Sequence, residues 1–156
     1  MLELVSRRVM RASEVLTGVM FFGMIVSVAM QVIARNVLSL PMLWTSDVAQ
    51  LLFSWLIFIG AAIGLRKGAH YFVDILPKGN GWFDAGVVWF GIAMGAIVSS
   101  ILVVNGWDLA MLRAPGQVQS LGISRFWLYV PIPISGAMMM LFLIEIAANQ
   151  IKGSLR

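Results

Sequence analysis

The sequence predicts an all-α integral membrane protein: four helices in one membrane domain over residues 1–156, both termini cytoplasmic. Three observations predict it. Of the 156 residues 60% are hydrophobic and only 12% charged, with a mean hydropathy of +0.92, whereas soluble domains carry about 25% charged residues. Apolar runs long enough for a helix to cross roughly 30 Å of hydrocarbon recur at about 15–34, 47–65, 84–106 and 126–147. With four spans, one side collects Arg7, Arg8, Arg11, Arg66, Lys67, Lys78, Lys152 and Arg156, and the other only Arg35, Arg113 and Arg125. The richer side, with the termini, is expected to face the cytoplasm.

Residues 1–14 interleave Arg7, Arg8 and Arg11 with Leu2, Leu4, Val5, Val9 and Met10. They form either an interfacial amphipathic helix ahead of the first span or a basic flank that sets orientation. The first span has Ser27-Val28-Ala29 as a weak cleavage motif, but its apolar run outlasts a signal-peptide core, so it is expected to remain as a span. Pro41 breaks the short connection to the second span, where Ser46 or Asp47 would cap the first turn and Arg66 and Lys67 suit the far end of the helix dipole. Pro77-Lys78-Gly79-Asn80-Gly81 is a turn signal. Asp84 is the expected N-cap of the third span, and Pro131 and Pro133 either kink the fourth span or delay its regular part. Trp44, Trp82, Trp107, Trp127 and Tyr129 fall near span ends as an aromatic belt, while Trp55 and Trp89 lie deep.

The chain has no cysteine, which excludes disulfide and thiol chemistry, and a single histidine, His70, which excludes a multi-histidine metal site or a bis-histidine haem within it. The net charge of +4 sits in short runs beside apolar segments, a topology signal rather than a nucleic-acid surface. No nucleophile–base pair, phosphate loop or paired carboxylate occurs, so no enzymatic activity and no cofactor are expected. Near mid-span the polar side chains are Ser27, Ser54, Ser99 and Ser100 only. Transporters that carry ions or acids hold charges or polar clusters near mid-membrane, so a translocation path through this chain alone is not expected.

Other residues stand out by position. Gly60, Gly64 and Gly68, with Gly91 and Gly95, recur every fourth residue, a pattern that allows close helix packing but is also common in membrane helices. Arg35 and Asp47 end adjacent spans on the outer side and either pair or stand as separate solvated charges. Arg66, His70 and Asp74 recur at four-residue steps on the cytoplasmic side, where Glu145 is near enough to join them.

These residues together resemble the small membrane subunit of the tripartite ATP-independent periplasmic (TRAP) transporters of bacteria and archaea. The match runs through Arg35-Asn36, Trp44 with Asp47, Leu52, Trp55, Gly60-Ala61-Ala62, Arg66, His70 and Asp74. It resumes at Leu121-Gly122-Ile123 and Trp127-Leu128-Tyr129-Val130-Pro131-Ile132-Pro133. The family often has Glu or paired acids after the Trp; here Thr45-Ser46-Asp47 gives a shorter reach. The resemblance implies a division of labour in the bacterial inner membrane. A large membrane subunit would carry the substrate with sodium by an elevator motion, so any sodium site belongs there. A periplasmic binding protein would deliver an organic acid. The small subunit would brace the large one and help dock the binding protein. On this reading Arg35, Trp44, Asp47, Arg113 and Arg125 serve binding-protein docking, Arg66, His70 and Asp74 form a cytoplasmic structural cluster, and Gly60, Gly64, Gly91 and Gly95 serve helix packing. The partners are then those two proteins and the lipid bilayer, with no nucleic acid. Rival readings are the membrane anchor of a redox enzyme complex, and a small channel or exporter that works as an oligomer of this chain.

Overall fold

The computed structural model describes residues 2–37, 39, 42–68 and 81–154, with only the backbone described at 2, 81–85 and 152–154. Its elements are α1 (Leu2–Asn36), α2 (Leu43–Arg66), α3 (Gly81–Arg113), a hairpin of β1 (Gln117–Val118) and β2 (Ile123–Ser124), the single turn α4 (Phe126–Tyr129) and α5 (Pro131–Ser154). Among the described residues four helices are long and apolar enough to cross a membrane, the fourth formed by α4 and α5 together.

The helices overrun the apolar stretches that predict them. The 35 residues of α1 at about 1.5 Å each span roughly 50 Å, some 20 Å more than the hydrocarbon thickness. Residues 2–14 therefore continue the helix of the first span rather than forming a separate element. Helix α2 begins at Leu43, so Ser46 lies inside its first turn and Asp47 just beyond it, and neither caps it; the cap position is Met42, whose carbonyl accepts from the Thr45 hydroxyl at 2.7 Å. Helix α3 starts at Gly81, ahead of the expected cap Asp84, and runs on to Arg113. The prolines of the fourth span mark a joint. Val130 closes α4 and Pro131 opens α5. Pro131 and Pro133 fall in the first turn of α5, where backbone N–H groups have no partner within the helix, so their missing donors cost little.

Helix α5 packs on both α2 and α3, and α1 packs on α2, giving the order α1–α2–α5–α3. Half of the most apolar stretch of the fourth span is buried, against 6% of that in α1 and 11% of that in α3. The α3–α5 seam uses glycines at its closest points. Buried Ile92, Ser99, Gly106 and Ala110 recur along α3 at steps of seven, seven and four. A Cβ on Gly106 would come within 2.6 Å of Ile132 Cγ2, and one on Gly136 within 2.9 Å of the Ser99 carbonyl oxygen. Such contact replaces the hydrophobic drive that lipid cannot supply between helices.

A Cβ on Gly60 would meet nothing within 4 Å, so within this chain close packing falls to Gly106 and Gly136 instead. Gly64, Gly91 and Gly95 are half-buried.

Candidate functional site

Polar side chains concentrate at the two ends of the bundle. At the end that holds the start of α1 and the C-terminal ends of α2 and α5, Arg66 is the hub. Its guanidinium donates to Glu145 as a two-pronged fork, Nε to Oε2 and Nη2 to Oε1, both at 3.2 Å. Its Nη1 donates to the Ser6 carbonyl oxygen at 3.1 Å. The Ser6 hydroxyl donates to Glu145 Oε2 at 2.5 Å, and the guanidinium lies 5.1 Å from the centre of the Phe142 ring. The Arg66 and Glu145 side chains are only 16% and 10% exposed. Three helices are thus tied by one nearly dry ion pair that Ser6 hydrogen-bonds on both sides, the kind of support under which a buried pair is tolerated. Met10, Ala62, Leu65, Met139, Phe142 and Leu143 form the apolar cluster at this end. Lys67 pairs with Glu14 at 2.8 Å on the more exposed flank. The expected trio of Arg66, His70 and Asp74 is therefore represented by Arg66 alone, since His70 and Asp74 lie outside the described residues. Ser6 carried no sequence signal, whereas Glu145 is the sole acid in the apolar run 126–147.

At the opposite end the hairpin folds over the start of α2. The backbone turns at Gly122, with φ +64°, and the Gly122 N–H donates to the Val118 carbonyl at 2.9 Å. Arg125 is held twice: its N–H donates to the Gly116 carbonyl at 2.8 Å and its Nε to the Gln117 carbonyl at 3.2 Å. Ser124 donates to the Ala114 carbonyl at 2.6 Å and accepts from the Phe126 N–H at 3.1 Å, which fixes the entry to α4. The Ser120 hydroxyl donates to Asp47 Oδ2. A cavity of about 380 Å³ opens here, lined by Asp47, Gln50, Gln119, Arg125 and Tyr129 among others. Arg113 lies 5.9 Å from the Tyr129 ring centre.

The structure thus brings Asp47, Arg113 and Arg125 into one neighbourhood. Arg35 and Trp44 are exposed and do not line the cavity. Among the described residues no ion pair joins Arg35 to Asp47, whose carboxylate faces Ser120 instead. Sequence reasoning missed Gln50, Gln119 and Ser120, which are ordinary polar residues until the hairpin folds back on α2.

Between the two ends the polar side chains are spent locally. Ser27 donates to the Thr45 carbonyl at 2.8 Å, Ser54 to the Leu128 carbonyl at 2.6 Å and Ser100 to the Ala96 carbonyl at 2.8 Å. Trp55 Nε1 donates to the Trp127 carbonyl at 3.0 Å. The Ser99 hydroxyl has no partner but is sealed in the α3–α5 seam. Among the described residues no group of three metal-ligating side chains occurs.

Residues 24–153 match the family described as tripartite ATP-independent periplasmic transporters, DctQ component. The chain is 26% identical over 155 residues to the sialic acid TRAP transporter small permease protein SiaQ of Vibrio cholerae, covering 97% of this chain and 88% of that protein. It is 25% identical over 114 residues to the C4-dicarboxylate TRAP transporter small permease protein DctQ of Rhodobacter capsulatus, covering 68% of this chain and 48% of that one. A third relative, the sialic acid TRAP transporter permease protein SiaT of Haemophilus influenzae, is 25% identical over 140 residues, which cover 86% of this chain but only 22% of that much longer protein. These relatives are transporter subunits, not enzymes, and nothing in them supports the redox-anchor reading. The chain therefore belongs to the DctQ component family of TRAP transporters, as a small permease subunit.

Proposed function

We propose that this subunit braces a large, sodium-coupled membrane subunit and helps dock a periplasmic substrate-binding protein during uptake of an organic acid across the bacterial inner membrane. One observation carries the reading: among the described residues the bundle offers a solute nothing to hold at membrane depth. The mid-span hydroxyls bond to carbonyls or lie sealed, and the buried Arg66–Glu145 pair sits at one end. A carrier needs accessible polar groups near the midplane, so the moving part belongs to another polypeptide. The outer faces of α1 and α3 remain apolar and uncovered within the chain, a surface for lipid and for partner helices. The long Haemophilus relative supports a large partner, since the part that resembles this chain is one segment of a bigger permease.

The end bearing Arg35, Trp44, Asp47, Arg113 and Arg125 is the periplasmic, binding-protein-facing end, and that bearing Arg66 and Glu145 is cytoplasmic, as the basic asymmetry requires. His70 and Asp74 stay assigned to the cytoplasmic side, and Gly60 and the half-buried Gly64, Gly91 and Gly95 to packing against partner helices. Sodium binds in the large subunit. The substrate class follows the relatives' names, sialic acid and C4-dicarboxylates, both organic acids.

The test is uptake into liposomes. This chain alone should accumulate no solute, and adding the large subunit and binding protein should restore uptake. Asp47→Arg should then lower uptake about tenfold through like-charge clashes at the docking face, with the two membrane subunits still copurifying. Unchanged uptake by that variant would remove the docking role, and accumulation by this chain alone would remove the scaffold.

A further inference from the structure

The geometry points to a binding site for the phosphate headgroup of an anionic phospholipid between the start of α1 and the C-terminal end of α2. Leu4, Arg7, Arg8 and Arg11 recur at steps of three, one and three, so they share one helical stripe. With Met10 and Arg66 they line a cavity of about 450 Å³. Four guanidinium groups around one cavity require an account of their charge. Arg66 is neutralised by Glu145, and Arg7 by Glu3 at 2.5 Å on the rim. Lys67, outside the lining, is neutralised by Glu14. Among the described residues Arg8 and Arg11 pair with no carboxylate, so the cavity keeps two positive charges.

Guanidinium groups match phosphate oxygens with paired N–H donors. The rest of the lining favours a lipid over free phosphate. Leu4 and Met10 are apolar, and below the cavity exposed Val15, Leu16, Val19 and Phe22 run down α1 as a surface for acyl chains. Basic pockets between membrane helices are suited to such headgroups. The site is independent of the docking and bracing roles, since it needs only that α1 crosses the membrane.

Native mass spectrometry of the delipidated full chain in detergent, titrated with phosphatidylglycerol or phosphatidylcholine, tests the assignment. Phosphatidylglycerol should bind more tightly. R8Q/R11Q should weaken it about thirtyfold, and R8Q or R11Q alone about fivefold, with phosphatidylcholine binding and the thermal unfolding midpoint unchanged. The single variants carry the test if the double variant does not fold. Equal binding of the two lipids, unchanged phosphatidylglycerol affinity in the variants, or complete displacement by millimolar inorganic phosphate would each overturn the lipid site.

Discussion

The two ends of this subunit treat charge in opposite ways. At the Arg66 end, an arginine and a glutamate are taken out of water and spent on each other, joining α1, α2 and α5. At the Asp47 end, Arg35, Arg113 and Arg125 stay exposed, and Asp47 is only half-buried and answered by a neutral hydroxyl. The first arrangement suits a joint that must not open. The second leaves charge facing outward, where long-range attraction can steer a partner. What separates a charge consumed inside the bundle from one left facing out is thus the company it keeps, since both ends began as charged residues flanking apolar runs.

The sharpest way to break this contrast is at Glu145. Glu145→Ala strands the Arg66 guanidinium with its 16% exposure and should cost about 4 kcal/mol, read as a lower unfolding midpoint in detergent. The paired change R66M/E145L should cost under about 1 kcal/mol, because an apolar pair of similar volume escapes the desolvation penalty. If the single and double variants fall equally, the pair is not a lock. A somewhat smaller effect is expected midway between the ends. Gly136→Leu drives a side chain against the Ser99 carbonyl, 2.9 Å from the Cβ position, and should cost about 3 kcal/mol. Hydrogen exchange should then quicken in α3 and α5 together; protection lost in only one of them would mean the seam does not couple them. The smallest effect belongs to the open end. Ser120→Ala removes the hydroxyl facing Asp47 and should cost about 0.5 kcal/mol, since both groups reach water. A loss as large as that of Glu145→Ala would erase the distinction between the ends.

Local chemistry determined a good deal from sequence alone. Four apolar runs become four long helices because hydrocarbon leaves the backbone few ways to satisfy its own polar groups. Arg66 announces itself as a charge closing an apolar run, and Glu145 as a lone acid within one. Topology put them on one side of the membrane, but the fork between residues 79 apart and the link from Ser6, 139 residues from Glu145, could not be read from spacing. The hairpin was equally hidden, because two-residue strands carry no periodicity. Helix ends also moved: the apolar run closes at Gly106, yet α3 continues to Arg113, and Ile132 and Pro133 pack on the bare backbone of Gly106.

The sequence by itself determined that the chain is apolar, carries four runs long enough to cross a membrane and holds only serines as polar side chains near mid-span, since those follow from residue type and run length. Only the tertiary structure decided which charges are consumed and which are left facing out, because that depends on which distant segments the α3–α5 seam and the folded-back hairpin bring within hydrogen-bond reach.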